Sequence, residues 1–278
     1  MNGLLVIAGN TLRESARKRV LLAALLFGMA FLAVFGIGIS AINRDIIRSG
    51  KATLMERRLF LNFAVMAGLY AVNFLTVMTA AFLPVDTLSG EIGSGVMQTV
   101  AAKPIRRSTI VLGKWLAYWV VIAGYLALMA GGTLLVARLL TGFTPPHVEQ
   151  GLPLMLLEAT VLLTLSIAAG TRLSSTASGM TVFGLYGLAF LGGWFEQIGT
   201  IMENASARYL GTVASLVMPS EALWQRAAYF MQPPIMRDLH LTPFSPASLP
   251  SGAMVIWAAG YVVVGLGLAL RWFRRRAL

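Results

Sequence analysis

Six long apolar runs dominate the chain's pattern, at residues 20–42, 59–85, 110–137, 152–170, 177–195 and 252–270. None has the period-two alternation of a half-buried strand or a barrel stave, so each reads as a helix. About 20 apolar residues at 1.5 Å rise cross the roughly 30 Å of bilayer hydrocarbon, and each run reaches that length or nearly so. A helix also pairs its own backbone groups, which hydrocarbon cannot do for it. The expected fold is an all-α integral membrane protein, a single transmembrane domain over residues 1–278 with six transmembrane helices.

The segments between the runs carry a second pattern. In residues 1–19, Leu4, Leu5, Ala8 and Leu12 recur at helical spacing beside Arg13, Glu14, Arg17 and Lys18. This predicts an interfacial helix lying along the membrane surface. In the external segment 196–251, Ile201, Ala205, Tyr209, Val213, Leu216 and Val217 share one helical face until Pro219. Ser220 is placed to cap a second helix from Glu221 to about Met231, which Pro233 and Pro234 stop. Two short external helices before the last span are expected.

Between the second and third runs, Ile92, Val96 and Val100 fall at four-residue intervals with Met97 beside them. They predict a short amphipathic helix within 89–105, begun by Ser89 and ended by Pro104. After it, Arg106 and Arg107 stand at lipid-phosphate level. Ser108 is placed to cap the third span, and Lys114 to snorkel back from its first turns.

Composition supports the membrane reading, since 57% hydrophobic and 12% charged residues exceed what one soluble core of this size hides. The first run has no small-residue cleavage site after it and reads as a retained span. Charge then gives orientation. With the amino terminus inside, thirteen of the 22 lysines and arginines and three of the eleven acids lie on the cytoplasmic side, leaving nine basic residues and eight acids outside. Both termini are expected to be cytoplasmic. The loop at 41–58 argues the other way, with Arg44, Arg48, Lys51, Arg57 and Arg58 outside. An odd number of spans would remove that conflict, but the basic carboxyl terminus and the Lys103 to Lys114 cluster favour six. A net charge of +11 distributed at the ends of apolar runs points to membrane lipids and no nucleic acid.

Candidate chemistry is sparse. There is no cysteine, and His147 and His240 stand apart, so a metal site is not expected. No DxxD or HExxH cluster supports a membrane-embedded lipid-processing enzyme. No GxxxxGK[ST] occurs: Gly113-Lys114 lacks the upstream glycine and the following hydroxyl. The chain is therefore not expected to hydrolyse ATP. Glu158, with Asn73, Tyr70, Tyr186 and the weaker Asn62, marks a candidate substrate pathway inside the membrane. Alternatively Glu158 lies at the outer interface, if the fourth span begins later. A secondary transporter or channel is the alternative function, although no paired, broken spans suggest inverted repeats. Gly28, Gly36, Gly184 and Gly187 permit close helix contact, within the chain or with another copy.

The order Glu91, Gly93-Ser94-Gly95, an apolar helix, Lys103-Pro104, Arg107 and Gly113-Lys114 resembles the signature of permease subunits of type-two ATP-binding-cassette (ABC) exporters. The PSEALW run at residues 219–224 is similar to the subgroup of the nitrous-oxide-reductase maturation permease. The resemblance implies a coupling helix at Glu91, Ile92, Val96, Met97, Val100, Lys103 and Pro104 that docks on an ABC ATPase subunit. Glu91 would pair with a basic residue there or cap the helix start. The same lysine and arginines also serve as topology anchors in any membrane protein. Two ATPase copies holding ATP and Mg, a second copy of this permease and a periplasmic accessory protein are the implied partners. The implied place is the inner membrane of a bacterial or archaeal cell, and the implied cargo is lipid-like, hydrophobic or maturation-related.

Overall fold

The computed structural model describes residues 3–49, 53–95, 106–238 and 249–276. They form α1 (Gly3–Ser15), α2 (Arg19–Ser49), α3 (Leu54–Phe82), α4 (Val85–Gly93), α5 (Arg107–Thr141), α6 (Val148–Gly170), α7 (Ser175–Ile201), α8 (Ala205–Val217), α9 (Ser220–Met231), α10 (Pro234–Asp238) and α11 (Gly252–Arg275). No strand occurs among the described residues. Helices α2, α3, α5, α6, α7 and α11 are long and apolar enough to cross a membrane, with α4 running on from α3.

Helix α6 is apolar on every side, and a helix of that kind belongs in a core. It packs against α3, α5, α7, α9 and α11, and 67% of its span is buried, against 6% for α2. The outer face of α2, with Leu26, Phe27, Val34 and Ile37 exposed, must be solvated by lipid or by another protein. Its inner face crosses α5 closely: a Cβ on Gly28 would stand 2.4 Å from Met129 Sδ, and one on Gly36 would stand 3.4 Å from Val136. Those two glycines make contacts within the chain. Gly184 and Gly187 face open space on α7.

Several element ends differ from the sequence expectation, each for a local reason. Helix α2 continues to Ser49, and α3 starts at Leu54 behind a reciprocal cap: Thr53 N–H donates to Glu56 Oε2 at 2.7 Å and Glu56 N–H to Thr53 Oγ1 at 3.2 Å. The expected loop at 41–58 is thus mostly helix. The second span does not run unbroken to 85, because Pro84 has no N–H to continue the ladder and α4 begins behind it. Ser89 does not start a helix; it lies inside α4 and its hydroxyl donates to Val85 O at 2.6 Å. Helix α4 stops at Gly93, and Gly95 turns the chain with φ +75°. Glu91 therefore sits on an extension of the second span. Ser108 is not a cap, since Arg106 holds the N-cap position of α5. Pro219 holds it for α9, and the Ser220 hydroxyl is buried without a hydrogen-bond partner. Ile201 ends α7, and α8 is capped by Asn204, whose Oδ1 accepts from Ala207 N–H at 3.2 Å.

Candidate functional site

Among the described residues, polar clusters interrupt the apolar bundle at places that include the following two. The first lies at the end that carries α1 and the end of α11. Helix α4 is fixed there by burial of Thr87, Leu88 and Ser89, by the Ser89 hydroxyl 2.9 Å from that of Ser175, and by close approach of Leu88 to Gly170. From its last turn Glu91 reaches α5, where Lys114 Nζ donates to Glu91 Oε1 at 2.5 Å. Lys114 is 6% exposed, so it does not snorkel to lipid phosphate as the sequence suggested: a carboxylate within the protein meets it first. The neighbouring Gly113 has a different task. A Cβ there would stand 2.8 Å from Ile7 Cγ2 and 3.1 Å from Leu4 O, so its absence lets α1 lie directly on α5.

Lys18, in the break between α1 and α2, donates to Thr87 Oγ1 at 3.0 Å and to Tyr118 OH at 2.9 Å, with Glu14 3.6 Å away. The Thr87 and Tyr118 hydroxyls also bond each other. One ammonium group thereby joins the α1/α2 junction to α4 and α5. Arg107, expected at lipid phosphate, turns to the other end of the chain. Its guanidinium donates to Arg276 O at 2.7 Å and Arg274 O at 3.1 Å, and it reaches Phe273 O at 3.5 Å. These are terminal carbonyls of α11, where a cation also suits the helix dipole. Arg106 is exposed. Ile92 belongs to α4; Val96, Met97, Val100, Lys103 and Pro104 lie outside the described residues. Glu91 thus ties α4 to α5, and Lys18 ties both to the α1/α2 junction.

The second cluster lies deep among α3, α6, α7 and α9. Glu158 is 1% exposed in the middle of α6, and Asn73 Nδ2 donates to its Oε2 at 2.9 Å. Tyr70 packs its ring 5.2 Å from that of Trp224, and Tyr186 lies 6.4 Å from Phe74. Both tyrosines lie within electrostatic reach of Glu158 and of Glu221. Four of the five residues singled out by sequence are thus gathered in one place. Asn62 sits apart from them, donating to Met231 O at 3.2 Å.

Glu221 is the member the sequence reading missed, where it served merely as a helix start. It faces α7 at Gly193, where a Cβ would stand 2.3 Å from Glu221 Cγ and 3.1 Å from Gln225 Nε2. Burial pushes its carboxyl up to about 7, a hydrogen bond from Gln225 opposes the shift, and the charge of Glu196 adds to it. The i, i+4 spacing of Glu221 and Gln225 was the available signal. The missing signal was Gly193, on another helix. Among the described residues no three His, Cys, Asp or Glu side chains are grouped to hold a metal.

Comparison with curated proteins gives no match. The family model of the ABC-2 family transporter proteins, in contrast, matches residues 5–278, nearly the full length described above from α1 to the end of α11. The chain belongs to the ABC-2 transporter family, which implies an ATPase partner: it is a membrane permease subunit of an ABC transporter, not itself an enzyme.

Proposed function

We propose that the chain is half of an ATP-driven exporter, in which two copies of this permease are moved by two separate ABC ATPase subunits carrying ATP and Mg. The observation that carries the reading is the fixing of both flanks of the 96–105 segment to one rigid body, through Glu91 and Lys114 before and after it. A short element that transmits force needs stiff attachment to more than one span, or the stroke is lost in the linkers. Ile92, Val96, Met97, Val100, Lys103 and Pro104 then form the face that docks on the ATPase.

Both termini lie in the cytoplasm in this reading, in the inner membrane of a bacterial or archaeal cell. The basic segment at 41–58 is compatible with it, since Arg57 donates to Asn43 Oδ1 at 3.0 Å and to Thr141 O at 3.3 Å and so serves to close the outer end of α5. The pathway runs by Glu158, Asn73, Tyr70 and Tyr186. Its cargo is lipid-like, hydrophobic or, following the 219–224 resemblance to the nitrous-oxide-reductase maturation permease, maturation-related, with a periplasmic accessory protein to receive it.

The test is co-expression with a candidate Walker-type ABC ATPase subunit. The permease alone should hydrolyse no ATP and should co-purify with that subunit. Val96→Asp or Val100→Asp should leave the permease inserted while uncoupling hydrolysis from transport. Transport that survives both substitutions would overturn the docking role.

A further inference from the structure

A groove of about 420 Å³ opens on the bundle surface between α6, α7 and α11. Leu165 and Ala169 of α6, Leu185 of α7 and Val264 and Leu268 of α11 form apolar walls, and no acidic side chain lines it. Its polar end is at Arg172, whose guanidinium lies 5.4 Å from the centre of the Trp272 ring. Arg276 brings a second guanidinium to this end of α6, where it donates to Thr171 O, the carbonyl preceding Arg172. Along α11 the groove extends from Trp272 back to Tyr261, eleven residues, or roughly 16 Å of helix at 1.5 Å each. One leaflet's share of the hydrocarbon is about half of 30 Å.

The match of length, apolar wall and terminal charge selects an occupant. We infer that this groove binds one acyl chain of an anionic glycerophospholipid, with its phosphate on Arg172 and Arg276. The lipid belongs to the leaflet at the end that carries both chain termini, which is the cytoplasmic leaflet in the orientation proposed above. Trp272 at the mouth suits the headgroup level, where indole rings partition, and its face holds the Arg172 guanidinium over the groove. A second copy apposed through this same face is the poorer occupant, because the groove is lined by no acidic side chain that could meet a guanidinium. The inference does not depend on which cargo the transporter moves.

The test uses the full chain reconstituted in vesicles of equal phosphatidylglycerol and phosphatidylcholine, released in mild detergent and weighed by native mass spectrometry. The wild type should retain one phosphatidylglycerol per chain in preference to phosphatidylcholine. Arg172→Gln should reduce that preference about fivefold, the effect of one cation near an anionic lipid surface. Val264→Trp should fill the groove and expel the lipid; Val264 is 62% exposed, so the core is left alone. Arg271→Gln, a basic residue of the same helix outside the groove, should change nothing. Equal retention in all four proteins would overturn the site, and so would a loss in Arg271→Gln as large as in Arg172→Gln. Conversion of a dimer to a monomer by Val264→Trp, with bound lipid unchanged, would assign the groove to a second copy instead.

Discussion

Lys114 Nζ and Glu91 Oε1 lie 2.5 Å apart, joining the last turn of α4 to the second turn of α5 across 23 residues of chain. Both side chains are largely withdrawn from water, at 7% and 19% exposure. Removing one partner from a buried pair strands the other charge, whereas removing both often costs little. Lys114→Met should therefore destabilise the protein by on the order of 3 kcal/mol, and Glu91→Gln by a similar amount. The double variant should recover most of that loss. Thermal unfolding of the four proteins in one detergent measures the coupling; additive losses would show that the pair does not act as a unit.

Gly113 makes a separate prediction about α1. A methyl group at this position meets Ile7 and the carbonyl of Leu4, so Gly113→Ala should lift α1 from α5 at a cost of about 1–3 kcal/mol. The chain has no cysteine, which makes the movement easy to follow. A cysteine pair replacing Gly3 and Thr109 should form a disulfide readily, since a Cβ on Gly3 would stand 3.8 Å from Thr109 Cγ2. Adding Gly113→Ala should slow that oxidation. An unchanged rate would mean that α1 is held by contacts elsewhere.

These two residues also show how far a sequence carries. Gly113 and Lys114 were noticed as a pair in a motif, and the apolar pattern located the spans around them. What each does depends on α1 and α4, whose position on α5 no local period encodes. Lys114 looked like a lipid anchor because a lysine near a span's end usually is one. Its partner within the chain, Glu91, is visible in the sequence but reads there as a contact of the ATPase or as a charge at the helix start. In the membrane interior the case is different. Glu158, Asn73, Tyr70 and Tyr186 stand out because polar groups are rare in hydrocarbon, and rarity needs no tertiary information. Glu221 lacked that contrast, since its segment is polar enough to read as surface.

Arg107 offers a test of how the two ends of the chain hold each other. Its guanidinium satisfies terminal carbonyls of α11, and Arg276 in turn donates to Thr171 O at the end of α6. Water can replace part of such a cap, so Arg107→Leu should cost about 1 kcal/mol globally. Locally the effect should be larger. Amide exchange in the last turn of α11 should accelerate several-fold, while exchange in the middle of α6 stays unchanged. Arg107→Lys, which keeps the charge, should restore part of the protection. Acceleration spread evenly along α11 would instead indicate loss of the whole helix from the bundle.

Glu221 predicts how stability depends on pH. In the unfolded chain its carboxyl titrates near 4.5, and in the folded protein burial raises it to about 7, against the Gln225 hydrogen bond and with the help of Glu196. The folded state thus holds this proton more tightly than the unfolded state does. Its contribution is fully present below about pH 4.5 and is lost as pH rises to about 7, where the fold must carry a charge close to Glu196 and Glu158 with Tyr70 and Tyr186 nearby. Over that window the loss should be about 3 kcal/mol. Glu221→Gln keeps the shape and removes the proton. The variant should match the wild type near the acid end of the window and exceed it near the neutral end, so the difference between their unfolding curves isolates this carboxyl from every other titrating group. Parallel curves across the window would show that Glu221 stays ionised in the fold and that water or a counter-charge reaches it past Gly193.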